Sequence, residues 1–164
     1  MEGRALCQWG DPGLGELVRQ GKQQNQHFDE QLVDAAARLI GDRWNPVPAP
    51  VWVTCVPSRR HLTLVPDFAR GLARKLELPF LECVRKVNDT EPQKTRDNSF
   101  QQAQNLAGAF VVDKVTVRAG PVLLVDDMVD SRWTFTVLTS LLRRAGSGPV
   151  YPFALADTSS EDGD

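Results

Sequence analysis

The run Val122-Leu123-Leu124-Val125, followed at once by Asp126-Asp127, constrains this chain more than any other feature. Four consecutive apolar residues do not alternate, so a strand made from them is buried on both faces and needs helices above and below it. The segment from Trp133 to Ala145 reads as a helix that stops at Gly146, a residue suited to the left-handed turn after a helix. Val51-Trp52-Val53-Thr54-Cys55-Val56 is a second short, β-branched, apolar run, and Pro149 to Ala156 is a third. After Asp29, a natural N-cap, Leu32, Val33, Ala36, Leu39 and Ile40 recur at helical spacing, and Pro46, Pro48 and Pro50 end that helix. Pro66-Asp67 opens another helix, with Phe68, Leu72 and Leu76 facing inward. Strands alternating with helices predict an α/β fold: a mostly parallel central sheet, flanked by helices and joined by right-handed crossovers.

Other stretches are less regular. Residues 1–28, rich in glycine and glutamine, read as an irregular N-terminal arm. Phe80 to Val87 reads as a strand, and the polar residues 88–98 as a mobile loop. A short helical piece, Gln101–Leu106, precedes an expected hairpin of Ala109–Val112 and Val115–Val117 across Asp113-Lys114. The last residues, 158–164, read as an acidic disordered tail behind a single domain spanning 1–157.

A net charge of −2 argues against binding by bulk positive charge. A local cationic face is still open, because residues 57–96 hold nine Lys and Arg against five Asp and Glu. Cys7, Cys55 and Cys83 are odd in number, widely spaced and accompanied by only two histidines, which disfavours a structural zinc site. Cys55 and Cys83 lie in apolar stretches and read as buried thiols. No apolar run approaches the roughly 20 residues that span a bilayer, and the N-terminus lacks a long apolar leader core. A cytoplasmic protein with no membrane partner is the expectation.

Ligands of open parallel sheets bind beyond the carboxyl ends of the strands, where loops meet helix N-termini. From Val122 to Thr134, an apolar strand enters two acids, then a loop bearing hydroxyls, then a helix. The free N–H groups and dipole of that helix start suit a phosphate; Ser131 and Thr134 add hydroxyl donors and Arg132 a charge. Asp126 and Asp127 can accept from sugar hydroxyls or from a hydrated Mg²⁺. Together these groups suggest a phosphorylated sugar. The same pattern also reads more plainly, as acids ending a strand and Ser131 capping a helix. A second place is Ser58-Arg59-Arg60, directly after the first apolar run, which is either an anion-binding turn or an exposed basic one.

Val122 to Thr134 resembles the signature of the type I phosphoribosyltransferases: four apolar residues, two acids, two apolar residues and a phosphate loop. The resemblance implies that Asp126 and Asp127 contact the ribose hydroxyls of 5-phosphoribosyl-1-pyrophosphate (PRPP). It implies that Asp130, Ser131, Arg132, Trp133 and Thr134 grip the 5′-phosphate, and that Ser58, Arg59 and Arg60 hold the pyrophosphate. Mg²⁺ would accompany PRPP, held through water by Asp126 and Asp127, and Asp130 would be the catalytic base. Arg132 departs from the family's usual glycine; it either reshapes the loop or supplies a guanidinium contact of its own. Asp89-Thr90-Glu91-Pro92-Gln93 and Asn105-Leu106-Ala107-Gly108-Ala109-Phe110 are similar to the ComF-like branch. Trp9-Gly10-Asp11, Trp52 to Ser58 and Leu64 to Ala69 resemble the phosphoribosyltransferase-like C-terminal domain of some bacterial RecQ-type DNA helicases.

Two functions follow from the resemblance. One is transfer of phosphoribose to a nitrogenous base with release of pyrophosphate. The other is a non-catalytic module that binds a nucleotide, DNA or a helicase partner in DNA repair. The chain has no GxxxxGK[ST] phosphate loop, so it is not a helicase motor by itself.

Overall fold

The computed structural model describes residues 3–88, 107–129 and 132–158. Its main sheet has four parallel strands: β1 (Arg4–Gln8), β2 (Trp52–Cys55), β5 (Val122–Val129) and β6 (Val150–Asp157). Their order is β1-β6-β5-β2, so the last strand lies between the first and the fifth. A separate antiparallel pair joins β3 (Val84–Lys86) to β4 (Phe110–Val112). The helices are α1 (Leu14–Gln20), α2 (Glu30–Arg38), α3 (Leu64–Lys75) and α4 (Trp133–Arg144). Among the described residues, no helix is long and apolar enough to cross a membrane.

Strand residues alternate between two cores, as the period of two demands. Val53, Cys55, Leu123, Val125, Phe153 and Leu155 face α1, α2 and α3. Trp52, Val122, Leu124, Val150 and Ala154 pack with Phe135, Leu138 and Leu142 of α4 and with β3 and β4. The unalternating apolar run at 122–125 is therefore explained: each of its residues is fully buried, two on each face. Cys55 and Cys83 are buried free thiols, as expected, and burial raises the pKa of both.

Local chemistry sets the helix ends. Asp29 Oδ1 accepts from the backbone N–H of Gln31, capping α2. A π-helical turn, Leu39–Trp44, extends α2 and ends at Asn45 in the left-handed region, just before the prolines. α3 begins at Leu64, two residues earlier than the sequence suggested, because Pro66 still falls in the first turn, where its missing N–H costs nothing.

Three expectations need correction. The N-terminal arm is not irregular: β1 pairs in parallel with β6, and Leu6, Leu14, Leu17 and Val18 join the core beneath α2. An edge strand with two exposed and three half-buried residues leaves little apolar pattern; the neighbouring backbone supplies its order. The hairpin partner of β4 is β3 rather than residues 115–117. Asp113 folds that segment into a turn, since its carboxylate accepts from the Val115 N–H and the Thr116 hydroxyl. The expected strand over 80–87 shrinks to Val84–Lys86, with Phe80 making one isolated bridge to Val53 of β2.

The loop over 88–98 (beyond Asn88), the helical piece at 101–106, Asp130, Ser131 and the tail past Thr158 lie outside the described residues.

Candidate functional site

The chain after β2 leads into α3 on one face of the sheet, and the chain after β5 leads into α4 on the other. Because β2 and β5 are neighbours, their carboxyl ends flank the point where the connections diverge, the usual crevice of an open α/β sheet. β2 ends first. Its ladder with β5 stops at Cys55 and Val125, and one further bond joins the Val56 N–H to the Val125 carbonyl. β5 runs on through Asp126 and Asp127 to Val129, paired only with β6. The acid pair thus stands beside the start of the Ser58–Arg60 turn.

Asp127 is buried, and its Oδ2 lies 2.9 Å from Nζ of Lys22, on the π-helical turn Gly21–Asn25 that follows α1. Its other oxygen accepts from the Met128 N–H at 2.8 Å. Asp126 Oδ1 accepts from the Asp127 N–H, also at 2.8 Å. The Asp126 residue keeps some exposure, but its carboxyl is enclosed. Burial first, and then the charge of Asp127, raise its pKa well above the usual carboxylate range; Lys22 opposes this in part. Lys22 is thus the cation of the site, paired to Asp127, and Asp126 is the acid of the two that burial makes harder to ionise.

At the second place, Ser58 Oγ accepts from the N–H groups of Arg60 (3.2 Å) and His61 (3.3 Å), making a tight polar turn. Two loop amides are thereby already satisfied, and Arg59 and Arg60 are both exposed. His61 Nδ1 lies 3.0 Å from Oε1 of Gln26. One short segment, residues 22–26, thus touches both the acid pair and the basic turn. The sequence reading missed Lys22 and Gln26, because a lysine among glutamines in an aperiodic stretch carries no signal of what it will face.

Arg132 occupies the N-cap position of α4 without a side-chain cap, and its carbonyl accepts from the N–H and hydroxyl of Thr136. Thr134 is half-buried in the first turn, which carries no acid. Arg132 also lines a cavity of about 370 Å³ with Val129, Phe135, Thr136 and Asp157, beside β1 and β6.

Among the described residues no cluster of three or more His, Cys, Asp or Glu could hold a metal, and Asp127 is already paired with Lys22, so the described donors do not form a site for a resident divalent cation.

No family profile matches the sequence, and no curated protein sequence matches it. Solved structures do. An adenine phosphoribosyltransferase superposes with a TM-score of 0.55 over 78% of this chain and 68% of its own, at 17% identity. The Saccharomyces cerevisiae adenine phosphoribosyltransferase, solved with adenine and an imino-altritol bisphosphate, gives 0.53 over 78% and 67%, at 18% identity. The allosteric regulatory enzyme of purine biosynthesis gives 0.51 over 75% of this chain but 25% of its own, also at 18% identity. The chain has the phosphoribosyltransferase fold.

Proposed function

We propose that the protein binds PRPP at the carboxyl ends of β2 and β5 and transfers its phosphoribose to a nitrogenous base, releasing pyrophosphate. The observation that carries this reading is the acid pair at the diverging point of a phosphoribosyltransferase fold, with a basic turn on one side and a helix N-terminus on the other. In this reading the ribose diol donates to Asp126 and Asp127, competing with Lys22 for Asp127 Oδ2. Ser131, Arg132, Trp133 and Thr134 hold the 5′-phosphate at the start of α4, where backbone N–H groups and the helix dipole favour an anion. Ser58, Arg59 and Arg60 neutralise the pyrophosphate as charge builds on it.

The bond between C1 of the ribose and the pyrophosphate oxygen breaks through an oxocarbenium-like transition state, and the base nitrogen forms the new bond. Asp130 takes the proton that the base releases. The chain contributes orientation and charge stabilisation, with no covalent intermediate. Mg²⁺ would accompany PRPP and offset its negative charge. The site, the single domain over 1–157 and placement in the ComF-like branch beside RecQ-type helicase domains rest on the sequence motifs, and a cytoplasmic location on the chain's composition.

Calorimetric titration with PRPP, with and without Mg²⁺, combined with a screen for pyrophosphate release across purines and pyrimidines, tests the proposal. Release that Asp130→Asn abolishes while PRPP affinity persists is the expected result. PRPP binding without release for any base would assign the chain to a non-catalytic module instead, and salt-sensitive DNA binding would identify that module's ligand.

A further inference from the structure

The turn Gly21–Asn25 is built to deliver one side chain. Gly21 is buried against Phe28, and Phe28 meets Phe68 of α3 edge-on at 5.8 Å. Beyond the other end, Gln26 takes a left-handed conformation, with φ at 52°. Its amide nitrogen donates to the Lys22 carbonyl at 2.8 Å, and its amide oxygen is the atom that meets His61. Lys22 is thus held between a buried aromatic anchor and the basic turn, and its ammonium reaches Asp127 Oδ2 from a fixed backbone.

The acid pair it meets is already crowded. Three of its four oxygens have a donor: the Lys22 ammonium on Asp127 Oδ2, the Met128 N–H on Asp127 Oδ1 and the Asp127 N–H on Asp126 Oδ1. One or two carboxylates are the usual protein ligands of Mg²⁺, at about 2.0–2.1 Å, with substrate oxygens and water completing the shell. The ammonium lies 2.9 Å from Oδ2, so a metal about 2.1 Å from that oxygen would stand within about 5 Å of it. Two cations at that range, on side chains largely withdrawn from water, repel strongly. A sugar hydroxyl brings a donor and no charge, so it meets no such repulsion.

We propose that the Lys22 ammonium takes the place of a divalent cation at this acid pair, so that the counterion of the carboxylates is part of the chain. Under the PRPP-binding reading, on which this consequence rests, ribose docks on Asp126 and Asp127 without a metal. The Mg²⁺ that would accompany PRPP then serves the pyrophosphate alone. Lys22 is a positioning residue: it fixes Asp127 and balances its charge, and it takes no part in bond making.

Manganese(II) is the first probe, because its paramagnetic resonance signal is lost on binding. The wild-type chain should leave the ion free at about 1 mM, and Lys22→Met should take it up at least about tenfold more tightly. Asp127→Asn added to Lys22→Met should abolish that uptake, and Lys22→Arg, which keeps the charge, should exclude the ion as the wild type does. Urea midpoints establish which variants are folded. Ribose 5-phosphate is the second probe, chosen because it lacks the pyrophosphate that chelates Mg²⁺ in PRPP. Its calorimetric affinity for the wild type should agree within about twofold between Mg²⁺ and EDTA. Uptake of Mn²⁺ by the wild type that Asp127→Asn abolishes overturns the proposal. So does a folded Lys22→Met that gains no Mn²⁺, or a wild-type ribose 5-phosphate affinity that falls about tenfold in EDTA. The wild-type arms decide where Lys22→Met does not fold. Ribose 5-phosphate that fails to bind at all, beside the expected Mn²⁺ results, would sink the PRPP reading and support the role of Lys22.

Discussion

Lys22 and Asp127, more than a hundred residues apart, meet through an ion pair of 2.9 Å at the carboxyl end of β5. Their side chains keep 22% and 11% of their exposure, so both charges have left most of their water. In that setting a charge is tolerated because its partner is present, and loss of either one strands the other.

Lys22→Met should therefore destabilise the fold by about 2–3 kcal/mol, as expected for a largely buried carboxylate left without its cation. Urea unfolding measures this. Asp127→Asn in the same background should restore most of the loss, since the stranded charge is then gone. A double variant as unstable as Lys22→Met would show that the pair does not couple.

The Asp126 carboxyl gives the fold a pH dependence of definite sign. Its pKa is higher in the folded chain than in the unfolded one, where about 4 is ordinary, so the native state binds more protons between the two values. Stability from this group is complete below about pH 4 and is lost as pH rises through the folded value. Asp126→Asn, neutral at every pH, should lack that decline. Urea midpoints measured at a series of pH values should show the wild type falling relative to the variant from about pH 4 upward; a constant difference would contradict it.

Ribose 5-phosphate is the simplest ligand for the start of α4. Thr134→Ala combined with Ser131→Ala should weaken it by about 1–3 kcal/mol, the range for removing hydroxyl partners of a charged group. Calorimetry is the measurement, and unchanged affinity would move the phosphate elsewhere.

Gly21 opens the turn that carries Lys22, and a side chain there has no room. A Cβ would fall 2.7 Å from Cδ1 of Phe28 and 2.8 Å from the His27 carbonyl. Gly21→Ala should cost about 1–3 kcal/mol by overpacking and pull Lys22 off Asp127. A folded variant in which Lys22→Met still causes its full wild-type loss would refute the second effect.

Legibility in the sequence followed burial. β2, β5 and β6 could be read because both of their faces are covered, leaving unbroken apolar runs; α2 and α3 showed their inward stripes. Trp133 to Ala145 matched α4 to within a residue because Gly146 takes a positive φ there. β1 was invisible because its order comes from hydrogen bonds to β6, which any sequence can make. Of the candidate site, the acids and the basic turn were evident from composition at a strand end. Lys22 was not, because its role depends on a contact across the fold. The 113–117 turn was misread because two valines suggested a strand where the Asp113 carboxylate captures the backbone instead.

The position of β6 between β1 and β5 also sets an order of assembly. Among the described residues β1 has no neighbour in the sheet except β6, so its ladder waits until residues 150–157 arrive. β5 and β2 can associate earlier, through a much shorter loop. β1 therefore completes its pairing only once β6 is in place. Lys22 does not share that dependence, because Val18 before it and Phe28 and Leu32 after it are anchored in the core formed with α3 and β2. The ion pair with Asp127 is thus held from the helical side of the molecule, and loss of β1 pairing leaves its apolar anchors in place.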